Sequence, residues 1–311
     1  MVLTRILEKG CQGDDVKELQ TRLKNAGFFS STIDDDFGDL TTAAVKAYQK
    51  SKGLTDDGVV GNTTWNSFGN TVSDTLNDTV NTTPPDFEIH DKLITSGHYF
   101  QQVVKKKFIV LHHTAGGYNP ENSINGWNTS VAADGHTPLP VATAYIIGRK
   151  SSDGHNNTDY DGKIYRTFDD KYWAHHLGIK NVQNNRLNQE SIAIEICNYG
   201  PLTKTADGRF LTYVNSEVSP DDVVTLSKPY KGFIYYEKYT TEQIESMKKL
   251  VKYLCDKYSI EIQHGGYDES WFEYNDKFMG DVNGIATHTN FRTDKFDLSP
   301  QPDMIAALNT L

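Results

Sequence analysis

At 311 residues the chain is long for a single hydrophobic core, so two domains are the expectation. A hydrophobic content of 37% with 23% charged residues describes a soluble protein, and no apolar run reaches membrane-spanning length. The net charge of −10, with no basic cluster to offset it, argues against nucleic acid as a partner.

The first ten residues, MVLTRILEKG, lack the apolar core and cleavage site of a signal peptide, so synthesis in the cytoplasm is expected. Cys11, Cys197 and Cys255 are odd in number and widely spaced, which gives no disulfide framework and suits a reducing compartment.

Residues 1–69 read as a small three-helix domain. Asp14 is placed to cap a helix whose apolar face is Val16, Leu19 and Leu23 and which ends at Asn25-Ala26-Gly27. After a turn at Asp34–Gly38, Thr41 or Thr42 opens a second helix carrying Val45 and Tyr48, which Gly53 stops. Asp57–Gly61 makes another turn before a short third helix, Thr63–Phe68. The acids of Asp34–Asp39 lack the twelfth-position Glu of a calcium loop, where Val45 stands, so they read as a solvated turn. No internal repeat is apparent. Residues 70–88 form a linker: Thr71–Asp86 is rich in Thr, Asn and Asp and closes on Pro84-Pro85.

Over residues 89–311 strands alternate with longer segments, the pattern of an α/β domain. Lys105-Lys106-Lys107 marks a solvated approach to a buried strand, Phe108–Leu111. Val141–Gly148 is a second buried strand, and Lys163–Phe168 is an alternating strand after the Asp161-Gly162 turn. Ser191–Cys197 is a third buried run with one acid, Glu195, in its middle. The Asp153–Asp161 loop has a faint calcium look but reads as solvated. Residues 201–237, tyrosine-rich and irregular, read as an insertion forming a hairpin or flap. Thr240–Tyr258 is the clearest helix: Thr240 and Gln243 form a capping box, and Ile244, Met247, Val251 and Leu254 share a face.

The first buried strand ends abruptly in His112-His113-Thr114, followed by Ala115-Gly116-Gly117. A buried strand that delivers imidazoles to its C-terminal end is how a sheet presents metal ligands or acid/base groups at its rim. Far downstream, Gly284–Asn290 contains His288, and Lys295-Phe296-Asp297 follows. Glu195 is an acid in an apolar strand, where a buried carboxylate wants a metal-bound water, a cation or a proton. Two histidines and a carboxylate with a free fourth position make a catalytic zinc site, although spacing alone does not establish one here.

Two resemblances cover most of the chain. Residues 1–69 resemble the peptidoglycan-binding domain found at one end of many cell-wall hydrolases. The matching residues are Gly13, Val16, Leu19-Gln20, Leu23 and Gly27, then Phe37-Gly38, Thr41, Ala44-Val45 and Tyr48-Gln49, then Leu54, Asp57–Gly61 and Thr64. Residues 89–311, apart from the insertion, resemble the zinc-dependent N-acetylmuramoyl-L-alanine amidases that share a fold with phage amidase lysozymes and peptidoglycan recognition proteins. Four motifs carry this second match in order: Ile109–Ala115, Trp173–Gly178, Ser191–Glu195, and His288 with Lys295-Phe296-Asp297.

The resemblance implies a central mixed β-sheet flanked by helices, with Zn2+ held by His112, His288 and Asp297. It implies Glu195 as general base, Lys295 at the oxyanion, and His176 contacting substrate or supporting the oxyanion. His113, Asp294 and His175 are rivals for His112, Asp297 and His176, and Cys197 is expected on the same face as Glu195, most simply as a structural thiol. Where some members carry a catalytic tyrosine this chain has Thr143, with Tyr145 two residues on. The implied activity is cleavage of the amide between N-acetylmuramic acid and the stem L-alanine of bacterial peptidoglycan, by an endolysin or autolysin acting as a monomer at the cell wall, with no membrane partner. The alternatives are a non-catalytic peptidoglycan-binding receptor, a zinc peptidase acting on the stem peptide, and a cytosolic recycling amidase.

Overall fold

The computed structural model describes residues 3, 5–52, 54–68, 84–152, 157–263 and 265–311, and the chain divides into two compact units, Met1–Leu76 and Asn77–Leu311. Gly53, most of the expected 70–88 linker and the start of the Asp153–Asp161 loop lie outside the described residues.

In the first unit, α1 (Asp14–Asn25), α2 (Asp39–Ser51) and α3 (Asn62–Ser67) surround a core that includes Leu7, Leu19, Val45, Tyr48 and Val60. Two helix starts differ from the sequence reading. Gly13, at φ 121°, occupies the cap position of α1, and Asp14 and Asp15 sit in its first turn, where they complement the positive end of the helix. α2 begins after Gly38, so Thr41 and Thr42 lie inside its first turn.

This unit also contains a repeat not apparent from hydrophobic periodicity. The amide nitrogen of buried Gln20 donates to Asp34 Oδ1, Asp36 O and Thr41 Oγ1, and its oxygen accepts from Asp34 N and Asp35 N. Gln49 repeats the pattern with Asp57 Oδ1, Val59 O and Thr64 Oγ1, and accepts from Gly58 N. The aspartate and threonine follow the glutamine by 14 and 21 residues in the first case, and by 8 and 15 in the second. Each glutamine locks the turn between two helices. Gln49→Ala should lower the unfolding free energy of the first unit by roughly 2–3 kcal/mol, because buried turn groups lose their partners. Urea unfolding of the isolated unit measures this, and a change below about 0.5 kcal/mol would remove the lock from the account of its stability.

The second unit runs β1 (Ile89–Asp91), β2 (Phe108–His113), α4 (Pro120–Thr129), β3 (Tyr145–Ile147), β4 (Ile164–Arg166), α5 (Asn184–Glu190) and β5 (Ser191–Ile196). It continues through β6 (Pro201–Lys204), β7 (Phe210–Leu211), β8 (Glu217–Val218), β9 (Val223–Tyr230), β10 (Phe233–Glu237), α6 (Thr241–Tyr258), β11 (Gly284–Thr287), α7 (His288–Phe291) and α8 (Pro302–Leu308). A mixed six-stranded sheet has the order β1-β4-β3-β5-β2-β11. Central β2 is buried throughout and pairs in parallel with β5 and β11. Its continuous apolar run is what a strand covered on both faces requires. On one face Ile109, Leu111, Ile194 and Ile196 join a core with Met247 and Val251 of α6. On the other, Phe108, Val110 and Ala286 pack with Leu177, Leu187 and Phe291.

Three sequence expectations need correction. The Val141–Gly148 strand is regular only over Tyr145–Ile147; upstream it makes a single bridge, Val141 with His175. Lys106 is not solvated but 2% exposed, and its ammonium donates to the carbonyls of Tyr172, Gln189 and Ser191 at 2.8, 2.8 and 3.0 Å. Burial pushes this amine down to about 7. It ties the approach to β2 to the α5–β5 junction. Residues 201–237 are not irregular: they hold a five-stranded antiparallel sheet, β8-β7-β6-β10-β9. Lys231-Gly232, both at positive φ, form the tight two-residue turn between β9 and β10. Fully buried Arg149, just beyond β3, donates to Asp222 Oδ1 at 3.1 Å and lies 3.5 Å from Glu237 Oε1, which fastens the second sheet to the first.

Candidate metal centre

Alternation along β2 sends Phe108, Val110 and His112 to one face, and Ile109, Leu111 and His113 to the other. His112 is in register with Glu195 of β5, so the two side chains share a face. On the opposite neighbour, Thr287 pairs with Leu111 and the next residue is His288. A capping box between Thr287 and Asn290 starts α7 there, which fixes where His288 leaves the strand. Asp297 arrives from the following loop, with its carbonyl accepting from Thr289 N.

His112, His288 and Asp297 converge. His112 Nδ1 lies 3.1 Å from His288 Nδ1 and 3.0 Å from Asp297 Oδ2, and His288 Nδ1 lies 2.9 Å from the same oxygen. Ligands about 2.0–2.1 Å from a tetrahedral ion stand about 3.3 Å apart, so this is the separation of a collapsed but complete set.

The remaining ring nitrogens decide where the protons are. His288 Nε2 lies 2.8 Å from Leu177 O, a pure acceptor, so this nitrogen carries the hydrogen. The Ser191 hydroxyl donates to Leu187 O at 2.7 Å, so it accepts from His176 Nε2 at 2.8 Å. His176 Nδ1 is then bare and accepts from His112 Nε2 at 3.0 Å. With neutral rings, both Nδ1 atoms therefore present lone pairs to the Asp297 carboxylate. Three lone pairs this close repel, so the arrangement calls for positive charge among them, either a proton on one of the rings or a bound cation. Burial pushes the His112 imidazole down to about 4, against the pull of Asp297. Burial alone would raise the Asp297 carboxyl, but when the rings are protonated the positive charge of His288 and N–H donation from His112 and His288 hold it well below the usual carboxylate range. A neutral imidazole and an ionised acid are the forms that bind metal.

The centre lies in a cleft of about 410 Å³ that Glu195, Lys295, Thr143, His175 and Trp127 also line. Burial pushes the Glu195 carboxyl well above its ordinary range; the negative charge of Asp297 adds to this and Lys295 opposes it. Its carboxylate makes no hydrogen bond or ion pair among the described residues. Such a group is available to take a proton.

The other sequence candidates fall in separate places. His113 points away from the centre and bonds through Nδ1 to Tyr239 Oη at 2.9 Å. Asp294 pairs with Arg292 on the surface. His176, expected to contact substrate or support the oxyanion, lines the cleft with both ring nitrogens engaged, Nδ1 by His112 and Nε2 by Ser191. His175 lines the cleft with Nδ1 buried and unpaired. The Tyr145 hydroxyl is committed to buried Asp170 at 2.8 Å, which removes it from the chemistry, while Thr143 bonds to Tyr145 O. Cys197 leaves the alternation of β5 and joins the apolar core under α6, where burial raises its thiol far above the ordinary value. Sequence reading missed Ser191 and Asn188. Asn188 Oδ1 accepts from His176 N and Leu177 N and so holds the segment that bonds to both His112 and His288. The sequence offered no signal for it, since its burial is a property of the fold.

Two family models match the chain. One is described as a peptidoglycan binding domain and covers residues 12–67; the other, N-acetylmuramoyl-L-alanine amidase, covers 102–297. A spore cortex-lytic enzyme of Halalkalibacterium halodurans is 46% identical over 57 residues, 18% of this chain and 17% of that enzyme. The N-acetylmuramoyl-L-alanine amidase CwlM of Mycobacterium tuberculosis is 44% identical over 55 residues, 18% of this chain and 14% of that protein. The chain thus spans less than a fifth of the length of these two curated relatives. Among solved structures, the N-acetylmuramoyl-L-alanine amidase LysC from Clostridium intestinale is similar at 16% identity, covering 73% of this chain and 99% of that one, with a TM-score of 0.36.

Proposed function

The chain belongs to the N-acetylmuramoyl-L-alanine amidase family, and on that premise we propose that it hydrolyses the amide joining N-acetylmuramic acid to the stem L-alanine of bacterial peptidoglycan. The observation that carries this reading is the convergence of two imidazole nitrogens and a carboxylate oxygen beside an unpaired glutamate in one cleft.

In this reading His112, His288 and Asp297 hold a zinc ion. Three protein ligands of this type, with a fourth position open, are the composition of catalytic rather than structural zinc sites. When bound, zinc supplies Lewis acidity toward the scissile carbonyl and toward water. Glu195 takes the proton of the attacking water and delivers it to the departing alanine nitrogen. Lys295 places its fixed positive charge where the carbonyl oxygen becomes negative. The His176–Ser191 relay holds the His112 ring in the tautomer whose Nδ1 is free.

Digestion of purified cell walls tests the reaction. The expected product is a new L-alanine amino terminus with no new sugar reducing ends. New amino groups elsewhere in the stem would indicate a peptidase, and wall binding without release would indicate a receptor.

The first unit, matched to a peptidoglycan binding domain, tethers the catalytic unit to the wall and raises its local concentration there. Removing residues 1–69 should lower the rate on intact walls by about tenfold or more and leave hydrolysis of a small soluble muropeptide nearly intact. Equal wall binding by the truncated and full chains would show that the tether lies elsewhere.

A further inference from the structure

The second sheet reaches the lip of the cleft at the turn between β7 and β8. Tyr213, in the turn between β7 and β8, is 68% exposed, yet its hydroxyl donates to Ala115 O at 2.7 Å. Ala115 lines the cleft three residues after His112, in the left-handed region at φ 47°. Tyr199 stands beside it, with ring centroids 6.5 Å apart at an interplanar angle of 65°. Its hydroxyl overhangs Gly117 so closely that a Cβ there would come within 3.0 Å. An exposed tyrosine is usually free to move. This one is tethered at its tip, so the entropy of fixing the ring is already spent and its apolar body is held open beside the cleft.

The chemistry of this corner is narrow. Neither Ala115–Tyr118 nor Thr212–Ser216 contains a charged residue. Peptide carboxylates would find no cation there, whereas the C–H face of a pyranose ring packs on the negative face of an aromatic ring. We propose that Tyr213 and Tyr199 form a saccharide subsite that takes an N-acetylhexosamine ring of the glycan strand, beyond the muramyl residue whose amide is cut. This rests on the amidase reading of the cleft. The subsite makes the second sheet a reader of glycan length.

The test compares kcat/KM on a one-sugar muramyl peptide and on a muramyl peptide within a longer glycan chain, using the full-length chain. The ratio of the two cancels any loss of folded protein. In Tyr213→Ala the preference for the longer substrate should fall about tenfold. In Tyr213→Phe, which keeps the ring and loses the tether, it should stay within about threefold of the parent. An unchanged ratio in Tyr213→Ala, or an equal fall in both variants, overturns the subsite; the second result would assign the effect to the hydroxyl tether alone. Calorimetry with a peptide-free tetrasaccharide of the glycan strand separates this from the amidase reading. If Tyr213→Ala weakens tetrasaccharide binding about tenfold in a protein that cleaves no amide, the subsite stands and the hydrolase fails. Active protein whose tetrasaccharide binding ignores Tyr213→Ala overturns the subsite only.

Discussion

Glu195→Gln should reduce turnover on peptidoglycan by roughly 10²–10⁴, while metal content and wall binding stay close to those of the parent. Glutamine keeps the shape of the side chain but has no basic oxygen. The expectation follows from where the carboxylate sits: in register with His112, lining the cleft, with no partner of its own. Burial and the nearby Asp297 raise its pKa, and Lys295 opposes them. A general base must be ionised, so activity should fall as the medium is acidified through the pKa that Glu195 has in the zinc-loaded site, where the cation counters the upward push of burial. That acid limb should be absent from the residual activity of Glu195→Gln. Unchanged turnover in the variant would assign the proton transfer to another group.

His288→Ala should abolish both metal binding and hydrolysis. Metal analysis of the parent should find about one zinc per chain, and the variant should hold less than about a tenth of that. The loss is large because removing one of three converging ligands leaves a pair that also binds far more weakly in a cleft open to water. His113→Ala is the control with the same chemistry deleted one residue from His112, since the His113 ring turns to Tyr239. It should retain its zinc. Full occupancy in His288→Ala would remove His288 from the ligand set.

How much of this was legible depended on the range over which each feature is encoded. The period of two in a strand is local, so Phe108–His113 already carries the information that His112 and His113 face opposite ways. The sheet then needs only parallel neighbours to bring Glu195 and His288 alongside. The role of His176 was not legible, because it depends on Ser191 across a turn and a helix, and on which hydroxyl proton goes to Leu187 O. Cys197 misled because alternation was carried one residue past the end of β5. The second sheet was read as irregular because strands of two residues, such as β7 and β8, show no period; turn chemistry and pairing define them instead. α5, Asn-rich and with Leu187 as its apolar anchor, offered no amphipathic stripe to read. The paired glutamine locks escaped for a different reason: the glutamine stands 14 residues before the turn aspartate in one copy and 8 in the other, which masks the Asp-to-Thr interval of seven that the two share.

The second sheet has a consequence for engineering. It enters at Pro201 and leaves at Tyr236, which face each other as antiparallel partners. Partners in such a ladder have Cα atoms about 4.5–5.5 Å apart, a gap a two-residue turn can close. The segment is thus a cassette, exchangeable for a shorter loop or for a foreign binding sheet without rethreading the α/β core. A graft must refill the core space that Leu226, Tyr230 and Tyr236 share with α6, and it must also satisfy one buried charge. Arg149 belongs to the host, is fully buried, and takes its ion pair with Asp222 from the cassette. A replacement that brings no carboxylate to that spot leaves a buried cation short of a partner, so core filling and this charge, rather than the length of the insert, set which grafts fold.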